Sequence, residues 1–237
     1  MPVVVVGQIG RDLILRCGGL PASGGSTEII ERRELLGGKG ANQAVALAQL
    51  GVPTALIGVV GDDTEGASVL RQAFRDGIDI GGVVRRGSTA LLVDLVDGPA
   101  SRRLFEDVPR SALVTVDDLD QSGLVIDAAD TVSLQLQQPA ATVLEAARRA
   151  RMRGVRVVAD GRPDPDVADE LLCTVQVLRM DAAETELFAG EPVATVEAAT
   201  AVAYRLLQYG PELVALAISD VGDLLVWPSG SHLFPLS

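Results

Sequence analysis

The chain has 237 residues, of which 48% are hydrophobic and 22% charged, with a formal net charge of −12. This is the balance of a globular chain long enough to bury one large core, not of a disordered one. The negative charge excludes a phosphate-tracking nucleic-acid surface, and an aromatic content of 3% leaves no platforms for stacked bases.

The chain opens on "MPVVVVGQIGRD", which has neither the basic flank nor the long apolar run of a signal peptide. No later stretch approaches the roughly 18 consecutive apolar residues of a membrane span. Cys17 and Cys173 lack CxxC spacing and read as buried apolar residues of a reducing compartment. The expectation is a cytoplasmic protein with neither nucleic acid nor membrane as a partner.

"VVVVG" (3–7) is a short β-branched run closed by glycine, the pattern of a strand buried on both faces. "RDLILRC" and "STEIIERREL" are strand-like but charged, with "GGLPASGG" between them, as expected of strands outside the main sheet. "GGKGANQAVALAQLG" (37–51) places glycines and a lysine at the mouth of a helix. "TALIGVVG" (54–61) reads as a strand and 63–77 as a helix stopped by Gly77. "TALLVDLVD" (89–97) alternates as a strand, and "ASRRLFEDVP" is a second polar, strand-like insert whose Arg102 and Arg103 read as a solvated face.

The second half is more regular. Strands at 131–136, 155–160 and 175–180 alternate with a helix that has Pro139 in its first turn, a short helix near 165–172 and a helix beginning near Asp181. A helix over "VEAATAVAYRLLQYG" and the strand "LVALAIS" follow. Alternation of this kind requires parallel crossovers, so the fold class is α/β: a doubly wound, mostly parallel sheet flanked by helices. One domain over 1–237 is expected, with the polar inserts at about 11–36 and 88–108 pairing as a small β-lid. The sole histidine, His232, reads as a surface residue of a terminal hairpin.

The glycine–lysine mouth carries the chemistry. It is not a Walker A loop, since Gly40 follows Lys39 where a metal-binding hydroxyl is required, and G-x-G-x-x-G is absent. Glycines allow close backbone approach, and a helix start offers N–H groups to polar or anionic oxygens. Lys39 and Asn42, three apart, face one ligand from the first turn, and the Asn amide suits a hydroxyl. The pattern fits a polyol or a small phosphorylated group; a plain glycine-rich loop with a solvated lysine is the alternative.

"GGKGANQAVALAQLG", the strand–Asp opening and the "GDD" after the next strand resemble the ribokinase-like, or PfkB-type, carbohydrate kinases. The order of elements continues to match through "SLQLQQP", "VLRMDAAETELFAG" and "LVALAISDVGDLLVW". The resemblance implies an ATP-dependent phosphotransferase acting on a hydroxymethyl group of a small sugar, with ATP and Mg²⁺ as cofactors and a homodimer through the β-lid. It implies that Asp12, Gly38, Lys39, Asn42 and Gln137 line the sugar pocket. Asp181 and Glu184 match the family's Asn-x-x-Glu, linked to phosphate placement and, through water from Glu184, to Mg²⁺. Ser219 and Gly222 match in part its Gly-x-x-Gly turn near the nucleotide phosphates.

Local readings stand beside these. Asp12 also fits a turn residue after a strand, Gln137 a polar residue before a helix, and Asp181 an N-cap completed by Glu184. The family often carries Asn where this chain has Gly10, and Glu where it has Gln137. Its second signature, Gly-Ala-Gly-Asp, is not within the 237 residues; the expectation is a general-base aspartate beyond Ser237, without which these residues alone are inactive. The alternative function is a non-catalytic sugar-binding or regulatory relative that has lost the phosphate site.

Overall fold

The apolar runs become strands and the periodic segments become helices in the computed structural model, which describes residues 2–98 and 101–236. In chain order the first elements are β1 (Val3–Val6), β2 (Gly10–Cys17), β3 (Ile29–Gly37), α1 (Lys39–Gln49), β4 (Thr54–Val60), α2 (Thr64–Arg75), β5 (Asp79–Arg85), β6 (Ala90–Gly98) and β7 (Ser101–Asp107). A 3-10 turn at Arg110–Ala112 leads to α3 (Val116–Gln121), α4 (Gly123–Asp127), β8 (Thr131–Gln135), α5 (Ala140–Met152), β9 (Arg156–Asp160) and α6 (Ala168–Leu172). The remainder is β10 (Val177–Met180), α7 (Ala182–Ala189), α8 (Val196–Leu207), β11 (Leu213–Ile218), β12 (Gly222–Trp227) and β13 (Gly230–Pro235).

The chain divides into two compact units, one of the stretch up to Val6 with everything from Thr115, the other of Gly7–Val114. In the first, the strands run in the order β13-β12-β11-β10-β9-β8-β1. Pairing is parallel from β1 to β11, and β12 and β13 close the edge as antiparallel strands. Val4, Val5 and Val6 are almost wholly buried, as are Val132, Leu134, Leu178, Met180, Val214 and Leu216. Each such Leu, Met or Val contributes about 1.5–3 kcal/mol by leaving water. α5 packs on β8 and β9, and α8 on β11 and β12.

In the second unit β4 and β5 pair in parallel. The two polar segments form a separate sheet of order β3-β2-β6-β7, with β2 parallel to β6 and the two outer pairings antiparallel. Positions 99 and 100, inside the second polar segment, lie outside the described residues. One face of this sheet rests on α2: Leu36 N–H donates to Gln72 Oε1 at 2.8 Å, and Arg11 reaches Glu65 at 3.4 Å and Glu34 at 3.7 Å. By strand alternation, Asp12 stands on the opposite face.

Some features depart from the sequence reading. β5 was not expected because "DIGGVVR" holds two glycines, which weaken strand propensity. Nor were α3 and α4, which are 6 and 5 residues long; α3 begins at a Thr115–Asp118 capping box. Pro139 precedes α5 as its N-cap, with extended ψ of 132°, instead of standing in the first turn. Cys17 is buried as expected, but Cys173, at the turn that ends α6, is exposed; both are free thiols. His232 is exposed on β13, edge-on to Phe234 with ring centroids 4.5 Å apart.

Candidate active site

Within Gly7–Val114, the glycine motif has a separate steric reason at each position. A Cβ on Gly37 would lie 1.8 Å from Asp12 Oδ1 and 2.0 Å from its Cγ, so the carboxylate occupies the space that a side chain at 37 would fill. Gly38 has φ +90°, and a Cβ there would meet the Gln8 carbonyl oxygen at 2.7 Å. At Gly40 a Cβ would strike Gly7 backbone at 2.6 Å, and Ala41 N–H donates to the Gln8 carbonyl at 3.1 Å. The motif therefore seats the start of α1 against the β1–β2 loop and clears a niche for Asp12.

Asp12 accepts from Gly38 N–H. Burial, and then the nearby charge of Asp94, push its carboxyl above the ordinary aspartate range, against the opposing pull of Gly38 and Arg102. Lys39 and Asn42 occupy the first turn of α1, where Asn42 N–H donates to the Gly38 carbonyl at 2.9 Å; Asn42 is exposed and Lys39 half-buried. Gly10 shares Asp12's face of β2. A Cβ there would meet Leu92 Cδ1 at 2.8 Å and the Ala90 carbonyl at 3.0 Å, so Leu92 fills the volume an asparagine would need.

Sequence reasoning missed Asp94. It lies on β6, opposite Ile14, two residues beyond Leu92, which is the partner of Asp12. Asp94 is 6% exposed and held bidentately: Arg102 Nε donates to its Oδ1 at 2.5 Å and Nη2 to its Oδ2 at 3.0 Å. Arg102 is thus not merely a solvated residue; its hydrogen bond to Asp94 is the main reason its guanidinium is held above the ordinary arginine range. The alternating polar pattern of "LLVDLVD" was the one available signal, because an aspartate at an inward position of a strand requires a partner.

Asp63, the second aspartate of the "GDD" segment, caps α2. It accepts from Gly66 N–H at 2.7 Å, Thr89 N–H at 2.8 Å and Thr89 hydroxyl at 2.5 Å, while the same hydroxyl accepts from Gly61 N–H at 2.9 Å. It ties the start of α2 to the entry of β6. Burial raises its carboxyl, but the bonds from Thr89 and Gly66 together hold it below the ordinary range.

In the other unit, the C-terminal ends of β8, β9 and β10 carry a polar row. Gln135 pairs in register with Asp160, and Asp160 with Arg179, whose Nη1 donates to Asp160 Oδ1 at 3.1 Å. Gln135 is fully buried and its Nε2 donates to Gln137 Oε1 at 2.9 Å, which places the exposed Gln137 at the same strand ends. Gly161 follows with φ +122°, next to Glu184.

Asp181 and Glu184 form a complete capping box at α7: Glu184 N–H donates to Asp181 Oδ1 at 2.8 Å and Asp181 N–H to Glu184 Oε2 at 2.9 Å. Ser219 is exposed in the β11–β12 turn, where Asp220 has φ +60°. Gly222 has φ +145°, and a Cβ would lie 2.1 Å from the Phe234 carbonyl, so its glycine is required by the pairing with β13. A cleft of about 520 Å³ lined by Asp130, Thr131, Arg151 and Arg156 opens at the opposite, N-terminal ends of these strands. Ligands of open α/β sheets sit at the carboxyl ends, so the polar row, not this cleft, is the candidate.

Among the described residues no group of three or more His, Cys, Asp or Glu side chains could hold a metal ion. Glu184, 9% exposed with Oε2 bonded to Asp181 N–H, fits only an outer position that reaches a nucleotide-borne Mg²⁺ through water.

The architecture is that of a ribokinase-like α/β protein. The chain resembles the Arabidopsis thaliana ribokinase solved with ribose and ATP at a TM-score of 0.80, with 23% identity over 99% of this chain and 78% of that one. For Thermotoga maritima ribokinase the TM-score is 0.77, with 25% identity over 99% of this chain and 77% of that one.

The sequence pattern of the pfkB family carbohydrate kinases matches residues 2–223, and the chain belongs to that family. It is 30% identical to Haemophilus influenzae ribokinase, over 78% of this chain and 61% of that enzyme. It is 32% identical to the ATP-dependent ribose-1-phosphate kinase of Halopiger xanaduensis, over 98% of this chain and 76% of that enzyme. A bifunctional ribokinase/ribose-5-phosphate isomerase A from Fructilactobacillus sanfranciscensis is 25% identical over 98% of this chain, which spans 44% of its length. No helix among the described residues is long and apolar enough to cross a membrane.

Proposed function

We propose that this protein is an ATP-dependent phosphotransferase that transfers the γ-phosphoryl group to a hydroxymethyl oxygen of a small sugar. The observation that carries the reading is the niche at Gly37, which leaves the Asp12 carboxylate where only a glycine would admit it. A part-buried carboxylate steadied by one backbone N–H is suited to accept from sugar hydroxyls. Asn42, Lys39 and the Gly38 backbone complete that side of the pocket.

Asp181 and Glu184 are assigned to the nucleotide phosphates, with Glu184 acting through water on Mg²⁺; the capping box fixes both side chains before ligand arrives. Bound Mg²⁺ would neutralise charge on the phosphates. Ser219 and Gly222 are assigned to the turn beside them. The acceptor hydroxyl loses its proton to a general base as its oxygen bonds to phosphorus and ADP departs. That base is assigned to the aspartate of the family's Gly-Ala-Gly-Asp signature and to no residue named above. Dimerisation through the β-lid belongs to the same reading. The names of the relatives include kinases of ribose and of ribose 1-phosphate, so similarity leaves the acceptor class open.

The test is sugar-dependent ADP release by the protein expressed from its full gene, across a panel of pentoses, hexoses, nucleosides and sugar phosphates. No release with any acceptor overturns the kinase reading. Ligand-induced thermal stabilisation without turnover would instead identify a sugar-binding relative.

A further inference from the structure

The face of the β3-β2-β6-β7 sheet that carries Asp12 holds more than the family-type sugar contacts. In register, Asp12 and Ile14 on β2 lie beside Leu92 and Asp94 on β6, and these beside Glu106 and Leu104 on β7, with Arg102 next along that strand. Asp94 is buried, and a buried carboxylate is retained only when paired. Arg102 pairs it through two parallel bonds, while its own side chain stays 64% exposed. Both bonded guanidinium nitrogens are spent on Asp94, but each carboxylate oxygen keeps a second lone pair. Asp12, Asp94 and Glu106 all lie within electrostatic reach of Arg102. The cluster is therefore three carboxylates against one guanidinium, fringed by Leu92 and Leu104.

We propose that Asp94 and Arg102 are a specificity-determining pair, in which Asp94 accepts from a hydroxyl of the bound sugar beside Asp12 and Arg102 fixes it there, so that neutral sugars are accepted and sugar phosphates refused. Aliphatic neighbours suit the C–H faces of such a sugar, and the acceptor-rich centre suits its hydroxyls. A phosphate brought to this face meets carboxylates, because the nearby guanidinium is already neutralised by Asp94 and the one Lys39 ammonium assigned to the pocket does not balance Asp12 and Glu106 together. Arg102 acts through Asp94 and is a positioning residue. The inference rests on the sugar site around Asp12 for its geometry and on the kinase reading for one of its two assays.

The experiment uses the full-length protein and its Asp94→Asn, Arg102→Gln and Arg102→Lys variants. Calorimetric titration with ribose, 2-deoxyribose, fructose, ribose 1-phosphate and ribose 5-phosphate is run beside ATP-dependent turnover, with the unliganded melting temperature of each variant recorded. Neutral sugars should bind the wild type at least about 100-fold more tightly than their phosphates. Asp94→Asn should weaken neutral-sugar binding about 10- to 100-fold, through KM more than kcat, and should narrow the neutral-to-phosphorylated ratio. Arg102→Gln should act in the same direction, with Arg102→Lys restoring part of the loss. A merely structural pair would lower the melting temperature and leave that ratio unmoved, which overturns the proposal. So does a wild type that prefers a sugar phosphate or binds no neutral sugar. Absence of turnover with sugar binding intact sinks the kinase reading alone, and the titrations still decide this one.

Discussion

Replacing Gly37 by alanine separates binding from folding. The new Cβ would sit 1.8 Å from Asp12 Oδ1, against an ordinary contact of at least 3.4 Å, so the carboxylate must retreat by about 1.6 Å. It can do so, because it is the far end of a rotatable side chain and not backbone. The retreat breaks the bond from Gly38 N–H, a charge-assisted bond of about 1.5–3 kcal/mol. Two effects offset this loss. Alanine restricts the unfolded chain, a gain of about 0.4–1 kcal/mol, and Asp12 escapes the burial that disfavours its charge.

The net change in stability should therefore stay within about 1–2 kcal/mol. Sugar binding, in contrast, loses its main acceptor and should weaken by about 10- to 150-fold, the equivalent of one hydrogen bond to a charged group. The assay is calorimetric titration with the sugar that the wild type binds most tightly, beside a urea melt without ligand. Gly40→Ala is the contrast, since its Cβ would strike immovable backbone of Gly7 at 2.6 Å and should damage the fold first. Affinity within threefold of wild type in a folded Gly37→Ala protein would refute the niche.

Three further outcomes follow from the same geometry. Asp12→Asn should abolish sugar binding yet raise the melting temperature at pH 7: the folded-state carboxyl lies above its ordinary value of 3.8, so its charge penalises folding at neutral pH, and differential scanning should show the gain shrinking as pH falls towards 3.8. Asp63→Ala removes a helix cap and strands the Gly66 and Thr89 N–H groups, a cost of about 2–4 kcal/mol by denaturant titration. Its carboxyl lies below 3.8 when folded, so the wild-type contribution is held above that pH and lost as pH falls through the lower folded value, narrowing the gap to the mutant in acid. Glu184→Gln keeps an oxygen acceptor for Asp181 N–H and should melt near the wild-type temperature while losing Mg²⁺-dependent turnover; unchanged kcat and KM for MgATP would remove Glu184 from the phosphate site.

Much was determined by the amino-acid order alone. β-branched runs alternating with periodic helical segments specify a mostly parallel α/β sheet, because each pattern is local and fits only one element type. "GGKGAN" after a strand–Asp opening marked Asp12, Gly38, Lys39 and Asn42, and Asp181 with Glu184 was legible as a capping box because its partners are three residues apart. The sequence also marked the glycines without saying what required them.

What the tertiary structure decided depends on strand register. Gly37 and Asp12 are far apart in the chain, and only the β2–β3 pairing shows that one makes room for the other's carboxylate. Arg102 looked solvated because a local window cannot see a partner on the neighbouring strand; the β6–β7 pairing sets it over Asp94. Gly10 has no room for a side chain because Leu92, brought beside it by the parallel β2–β6 ladder, takes up that volume. Long-range pairing, not local propensity, chose which charges meet on that face of the sheet.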